Sequence, residues 1–165
     1  MRNKKNWSDD AEYVAQIQDL LDKPEIQHLK TIRQHIYSNR LEHSIRVSYK
    51  SYLIGKKLHL NTRALARGGL MHDMFYYDWD RSKLDFRTHA YLHPRIALRN
   101  ARSITHVTDM EADIIVKHMF GATTELPKYA ESWIVDAVDD ECAVEEAVEP
   151  LANKWMKKLQ TEFEK

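Results

Sequence analysis

The sequence predicts an all-α protein, a compact single-domain helical bundle, on three observations. Glycine and proline number only four each among 165 residues. Apolar residues recur at three- and four-residue spacing through most of the chain. No stretch alternates apolar and polar residues long enough to read as a convincing strand. A chain of this length supports one sizeable core, so residues 1–165 are expected to form one domain.

About eight helices follow from the pattern. Tyr13, Val14, Ile17, Leu20 and Leu21 share one face behind Asp9, which reads as an N-cap with Glu12 three residues on, and Pro24 stops this helix. A second helix is expected over Glu25 to Ile36. "SNRLEHS" leads into a third, whose Ile45, Val47, Tyr49, Tyr52, Leu53 and Leu58 give a broad apolar face ending near His59. Asn61 caps a fourth, with Gly69 suited to close helix packing and His72–Asp73 near its C-terminal end. Pro94 suits the first turn of a helix reaching Ile104. Thr108 and Glu111 form a capping box for a helix that His118 ends. Pro127 is expected to open a helix carrying Trp133, Val135, Val138, Asp139 and Cys142, and a separate amphipathic helix around Trp155, Met156, Leu159 and Phe163 closes the chain.

Charge and cysteine usage narrow the function classes. The 25 acidic and 25 basic residues balance, so there is no nucleic-acid signal. Charges interrupt every apolar stretch well short of the roughly 20 residues a bilayer span needs, so no membrane is implicated. Cys142 is the only cysteine and the first residues lack an apolar leader, which points to a cytoplasmic protein.

Nine histidines are present, and several sit beside large apolar residues. His43 lies between Leu41 and Ile45. His72 follows Leu70 and Met71, Asp73 precedes Met74 and Phe75, and His118 follows Ile115 and Val116. Asp139 shares a helix face with Val135 and Cys142. One buried histidine is ordinarily a satisfied core residue. A carboxylate in such surroundings needs neutralisation, an ion pair or a metal, and Arg46 or Arg67 could pair with Asp73. The alternative is that His43, His72, Asp73 and Asp139 converge on a divalent transition metal such as Mn, Fe, Zn, Co or Ni, since imidazole and carboxylate donors suit those ions. Asp136 and Asp140 read as solvated charges.

The order His, His-Asp, Asp, in "LEHSIRV", "GLMHD" and "IVDAVDDE", resembles the HD superfamily of metal-dependent phosphohydrolases, over a core of about 39–145 with flanking N- and C-terminal helices. "HPRIA" and "VKHMFG" add His93 and His118, which look like the extra ligands of two-metal members. The resemblance implies a binuclear centre bridged by Asp73, with His43, His72 and Asp139 on one metal and His93 and His118 on the other. It implies hydrolysis of a phosphate ester or anhydride, by a phosphomonoesterase or phosphodiesterase, through a metal-bound hydroxide. HD enzymes that cleave dinucleoside tetraphosphates are a looser likeness. Two departures matter. Many relatives continue the doublet as Ile-Gly-Lys, where this chain has Met74, Phe75 and Tyr76, so Arg81, Lys83 or Lys117 would have to compensate. The Gly-Tyr-Pro motif of the cyclic-di-GMP hydrolases is absent.

On this reading Asp73, His89 and Lys117 are the catalytic candidates, His89 as a general acid or further ligand. Arg40, Arg46, Arg67 and Lys83 are candidates to hold a small phosphorylated, nucleotide-like substrate. Tyr76, Tyr77 or Trp79 could stack its base. The same ligands would serve a mixed-valent di-iron oxygenase or a metal-stabilised regulatory module, and a homodimer stays open.

Overall fold

The computed structural model describes residues 6–34, 38–78 and 82–163, with side chains left out at 149–151, 153–154 and 157–163. Within them the chain is helical: α1 (Ala11–Leu21), α2 (Pro24–His28), α3 (Arg40–Leu58), α4 (Thr62–Met71), α5 (Phe86–Ile104), α6 (Asp109–Lys117) and α7 (Ala130–Phe163), with short 3-10 turns at Trp7–Asp9 and Leu29–Thr31. The described residues contain two isolated bridges and no strand.

The helix starts are set by side-chain caps. Asn39 and Glu42 form a reciprocal capping box on α3, and Thr108 and Glu111 form another on α6. Asn61 accepts from the Ala64 amide to start α4. The cap of α1 is Asp10, not Asp9, because Trp7–Asp9 are taken up by the preceding 3-10 turn.

Three expected boundaries differ. The second helix ends at His28, and Ile32 is extended. The backbone turns back so that Arg33 bridges to Asn39 and the Gln34 amide reaches Ser38 O, while Ile36 lies outside the described residues. α5 begins eight residues before Pro94, at Phe86, because Asp85 accepts from the Arg87 and Thr88 amides. Pro94 is therefore interior, tolerated because it removes a single donor from a helix that buries Ala90, His93, Ala97 and Ala101. The last two expected helices are one, α7, starting at Ala130 rather than Pro127 and continuing to Phe163.

α4 is the central element. Ala64 through Met71 are all buried, one side meeting Tyr13, Ile17, Leu20, Tyr49 and Tyr52 and the other meeting Val47, Ile114, Val135 and Val138. Glycine makes the α3–α4 approach possible. A Cβ built on Gly69 would lie 2.8 Å from Ser48 Cα, a backbone atom that cannot step aside. Gly69→Ala is expected to destabilise the protein by about 1–3 kcal/mol through overpacking, measurable as a lower urea midpoint. Because His72 follows this helix directly, the same contact sets where the doublet sits. Among the described residues no helix is long and apolar enough to cross a membrane.

Candidate metal centre

Helix ends deliver the polar residues. His72 is the C-cap of α4, and Asp73 follows in a turn closed by Met74 N to Met71 O and Phe75 N to Asp73 O. His118 is the C-cap of α6. His43 lies one turn inside α3, His93 lies on α5 and Asp139 on α7. Breaking the helix at the doublet lets adjacent residues face a common point, which two neighbours inside a regular helix cannot do.

The six expected ligands converge. His43 Nε2 lies 2.8 Å from Asp139 Oδ1, and His72 Nε2 lies 3.4 Å from the same oxygen and 3.8 Å from Asp73 Oδ2. On the other side Asp73 Oδ1 lies 3.4 Å from His93 Nε2 and 3.6 Å from His118 Nε2. Three overlapping donor groups result: His43, His72 and Asp73; His72, His118 and Asp139; and Asp73, His93 and His118.

Hydrogen bonding fixes which nitrogen of each ring faces inward. Carbonyl oxygens only accept, so His72 Nδ1–H donates to Gly69 O, His93 Nδ1–H to His89 O and His118 Nδ1–H to Ile115 O, at 2.7, 2.9 and 2.8 Å. His43 Nδ1 donates to Glu146 Oε1 at 3.1 Å. All four Nε2 atoms therefore point at the carboxylates. The neutral rings of His93 and His118 would bring two lone pairs within 2.9 Å, and buried His72 Nε2 has no hydrogen-bond partner. Both features are costly without a cation, and 2.9 Å is close to the separation of adjacent ligands each about 2.1 Å from one ion. The donor set fits divalent metal, with ring orientations held from outside as metal-binding histidines usually are.

The electrostatics agree. Burial alone would raise the Asp73 carboxyl, but His72, His93 and His118 outweigh it and hold it well below the usual carboxylate range. Burial opposes protonation of His43, yet its bonds to Asp139 and Glu146 push it up to about 10. Burial and the neighbouring imidazoles of His72 and His93 push His118 down to about 3. Asp136 is not a solvated charge: burial, with Asp140 beside it, raises it to about 7, and it accepts from the Phe120 amide.

The cations are placed less as expected. Arg40 is buried with its guanidinium 3.6 Å over the Phe75 ring, and it donates to Phe75 O, Tyr77 O and Gln34 Oε1, so it holds the loop after the doublet. Arg67 is buried and does not line the cavity; bonded to Asp19, Gln16 O and Thr105 and paired with Glu111, it ties α4 to α1 and α6. Arg46 faces a separate groove and lies 3.9 Å from Glu146. Lys117 points to Glu125 at 3.9 Å, and Lys83 is exposed; neither lines the metal cavity. Arg81 and Trp79 lie outside the described residues. Tyr76 meets His28 edge-on, whereas the Tyr77 hydroxyl is 3.0 Å from His89 Nδ1.

The donors open onto a cavity of about 520 Å³ whose wall includes Arg33, Gln34, Phe86, His89, Met119 and Glu146. Sequence reasoning anticipated only His89 among these and missed the other five. Glu146 had a signal, since it lies seven residues after Asp139 and so on the same face of α7. Arg33 and Gln34 had none, because they lie where a helix was expected, and Phe86 sat in an expected loop.

A family model described as HD domain matches residues 40–158, from the first residue of α3 into the last third of α7. No curated protein and no solved structure matches the chain. The match spans every one of the six converging residues, and the chain belongs to the HD-domain family, whose members are mostly metal-dependent hydrolases.

Proposed function

We propose that the protein is a metal-dependent phosphohydrolase acting on a small phosphorylated molecule, with His43, His72 and Asp139 holding one divalent ion, His93 and His118 a second, and Asp73 bridging them. The observation that carries this reading is the convergence of four inward-facing Nε2 atoms and two carboxylates at the base of an open cavity. Ions there would supply Lewis acidity to a phosphoryl group and bring the pKa of a water near neutral.

The surrounding side chains have distinct parts. Arg33 and Arg40 both line the cavity; Arg40 also holds the loop after the doublet, and we assign Arg33, beside Gln34, to the substrate phosphate. His89 stacks on His93 with ring centroids 4.5 Å apart, and burial with His93 beside it pushes it down to about 4. It is neutral at pH 7 and therefore poor as a general acid. The Tyr77 hydroxyl, 3.0 Å from Nδ1, orients the His89 ring on the cavity wall, and we assign His89 to a hydrogen bond with substrate. Phe86 is 57 % exposed yet lines the cavity. Such a ring at a polar mouth suits stacking of a nucleobase, which favours a nucleotide-like substrate.

Metal analysis of protein purified without added metal, followed by a phosphate-release screen of phosphorylated metabolites with and without manganese, tests the proposal. Release should require the metal and occur anaerobically. Oxygen consumption by an iron-loaded form, with no phosphate released from any compound, would establish the oxygenase instead.

A further inference from the structure

We propose that Gln34 is a positioning residue of the metal centre, linking buried Arg40 to the bridging carboxylate of Asp73. The inference rests on the binuclear reading above. Gln34 Nε2 donates to Asp73 Oδ2 at 2.8 Å, and Gln34 Oε1 accepts from Arg40 Nε at 2.7 Å. The amide orientation is dictated from both ends, because a guanidinium can only donate and a carboxylate can only accept. Glutamate at this position could not donate to Asp73, lysine could not accept from Arg40, and asparagine is one methylene short of spanning both.

The arrangement gives each carboxylate oxygen a separate task. Oδ1 faces His93 and His118, and Oδ2 faces His72, with Gln34 alongside it. A donor on Oδ2 limits rotation of the carboxylate about its Cβ–Cγ bond and so keeps both oxygens aimed at their respective histidines. Arg40 adds rigidity and charge: its Nη1 bonds to Phe75 O and Tyr77 O anchor it to the segment that follows Asp73. Hydrogen bonds in such a chain polarise one another, so the guanidinium acts on Asp73 through the amide. The same stretch of backbone is tied to the other half of the centre. Ser38 Oγ donates to Glu146 Oε2, and Glu146 Oε1 orients His43.

Gln34→Met, similar in size but without the donor, and Gln34→Asn, with the donor but short of reach, test the assignment by equilibrium titration with Mn²⁺ alone. Both should weaken binding at one site or both by roughly 10–100-fold. In the manganese EPR spectrum the exchange-coupled signal of the pair should give way to isolated ions. The melting temperature of chelator-treated protein reports any purely structural role. Wild-type protein that binds no manganese would overturn the metal reading and this inference together. Wild-type binding with unchanged affinity and coupling in both variants would overturn this inference alone.

Discussion

Asp73→Asn is expected to abolish manganese binding at one site or more and to lower phosphate release by on the order of 10³-fold, a loss of about 4 kcal/mol of transition-state stabilisation. The substitution preserves the size of a side chain that faces three imidazoles and Gln34. It removes the negative charge that the centre is built around, and it places an amide N–H₂ where only acceptors are useful. That group must face either the Nε2 atoms of His93 and His118 or the donor of Gln34, and the second leaves two donors opposed. Titration calorimetry and a phosphate-release assay on the same preparation read both effects. Unchanged metal stoichiometry with activity within tenfold of wild type would remove Asp73 from the bridging position.

Stability of the chelator-treated protein is expected to fall as pH rises from about 7 to 9. His43 is held up at about 10 against an ordinary 6.5, so folded protein keeps a proton there that the unfolded chain has released. The stabilisation is fully present below 6.5 and is lost as pH climbs through the folded value. His72, buried and facing Asp73 and Asp139, is shifted in the same direction. Other buried groups touch the edges of this window. Asp136, raised to about 7, is half-ionised at its lower edge, and the Cys142 thiol, pushed up to about 12 from an ordinary 9, enters at its upper edge, both in the same direction as His43; His89 and His118, lowered to about 4 and about 3, act in the opposite sense, around and below 6.5. Each proton retained by the folded form alone corresponds to a slope of about 1.4 kcal/mol per pH unit. A divalent ion held by His43 Nε2 would take the place of its proton, so metal affinity should rise over the same range while the stability of loaded protein holds. Urea denaturation at pH 7, 8 and 9, with and without manganese, separates the two. A flat metal-free profile would contradict the ion pairing of His43 with Asp139 and Glu146.

The site was legible in the sequence to the extent that local chemistry announces itself. Thr108 with Glu111 marked a helix start, which placed His118 at the end of that helix, and "SNRLEHS" led into the helix that carries His43. Polar residues in apolar surroundings identified His72, Asp73 and Asp139, because a buried carboxylate demands a partner. Pro94 misled for an equally local reason, since the residue that opens its helix is Asp85, nine positions earlier.

Cations were the residues least readable in advance. Arg40, Arg46 and Arg67 are chemically alike in sequence, and only packing separates them: one holds the loop beyond the doublet, one borders another groove, and one joins three helices. By itself the sequence determined the all-α architecture, most helix starts and the residue types of a metal centre, because caps, periodicity and donor chemistry act within a few residues. The tertiary structure alone decided which nitrogen of each histidine faces inward, that Gln34 and Glu146 hydrogen-bond to Asp73 and His43, and that Arg33 and Arg40 line the cavity while Arg46 borders another groove. Those depend on groups 39, 103 and more residues apart being brought within hydrogen-bonding distance, as Gln34 with Asp73 and His43 with Glu146 are, and no local pattern records such meetings.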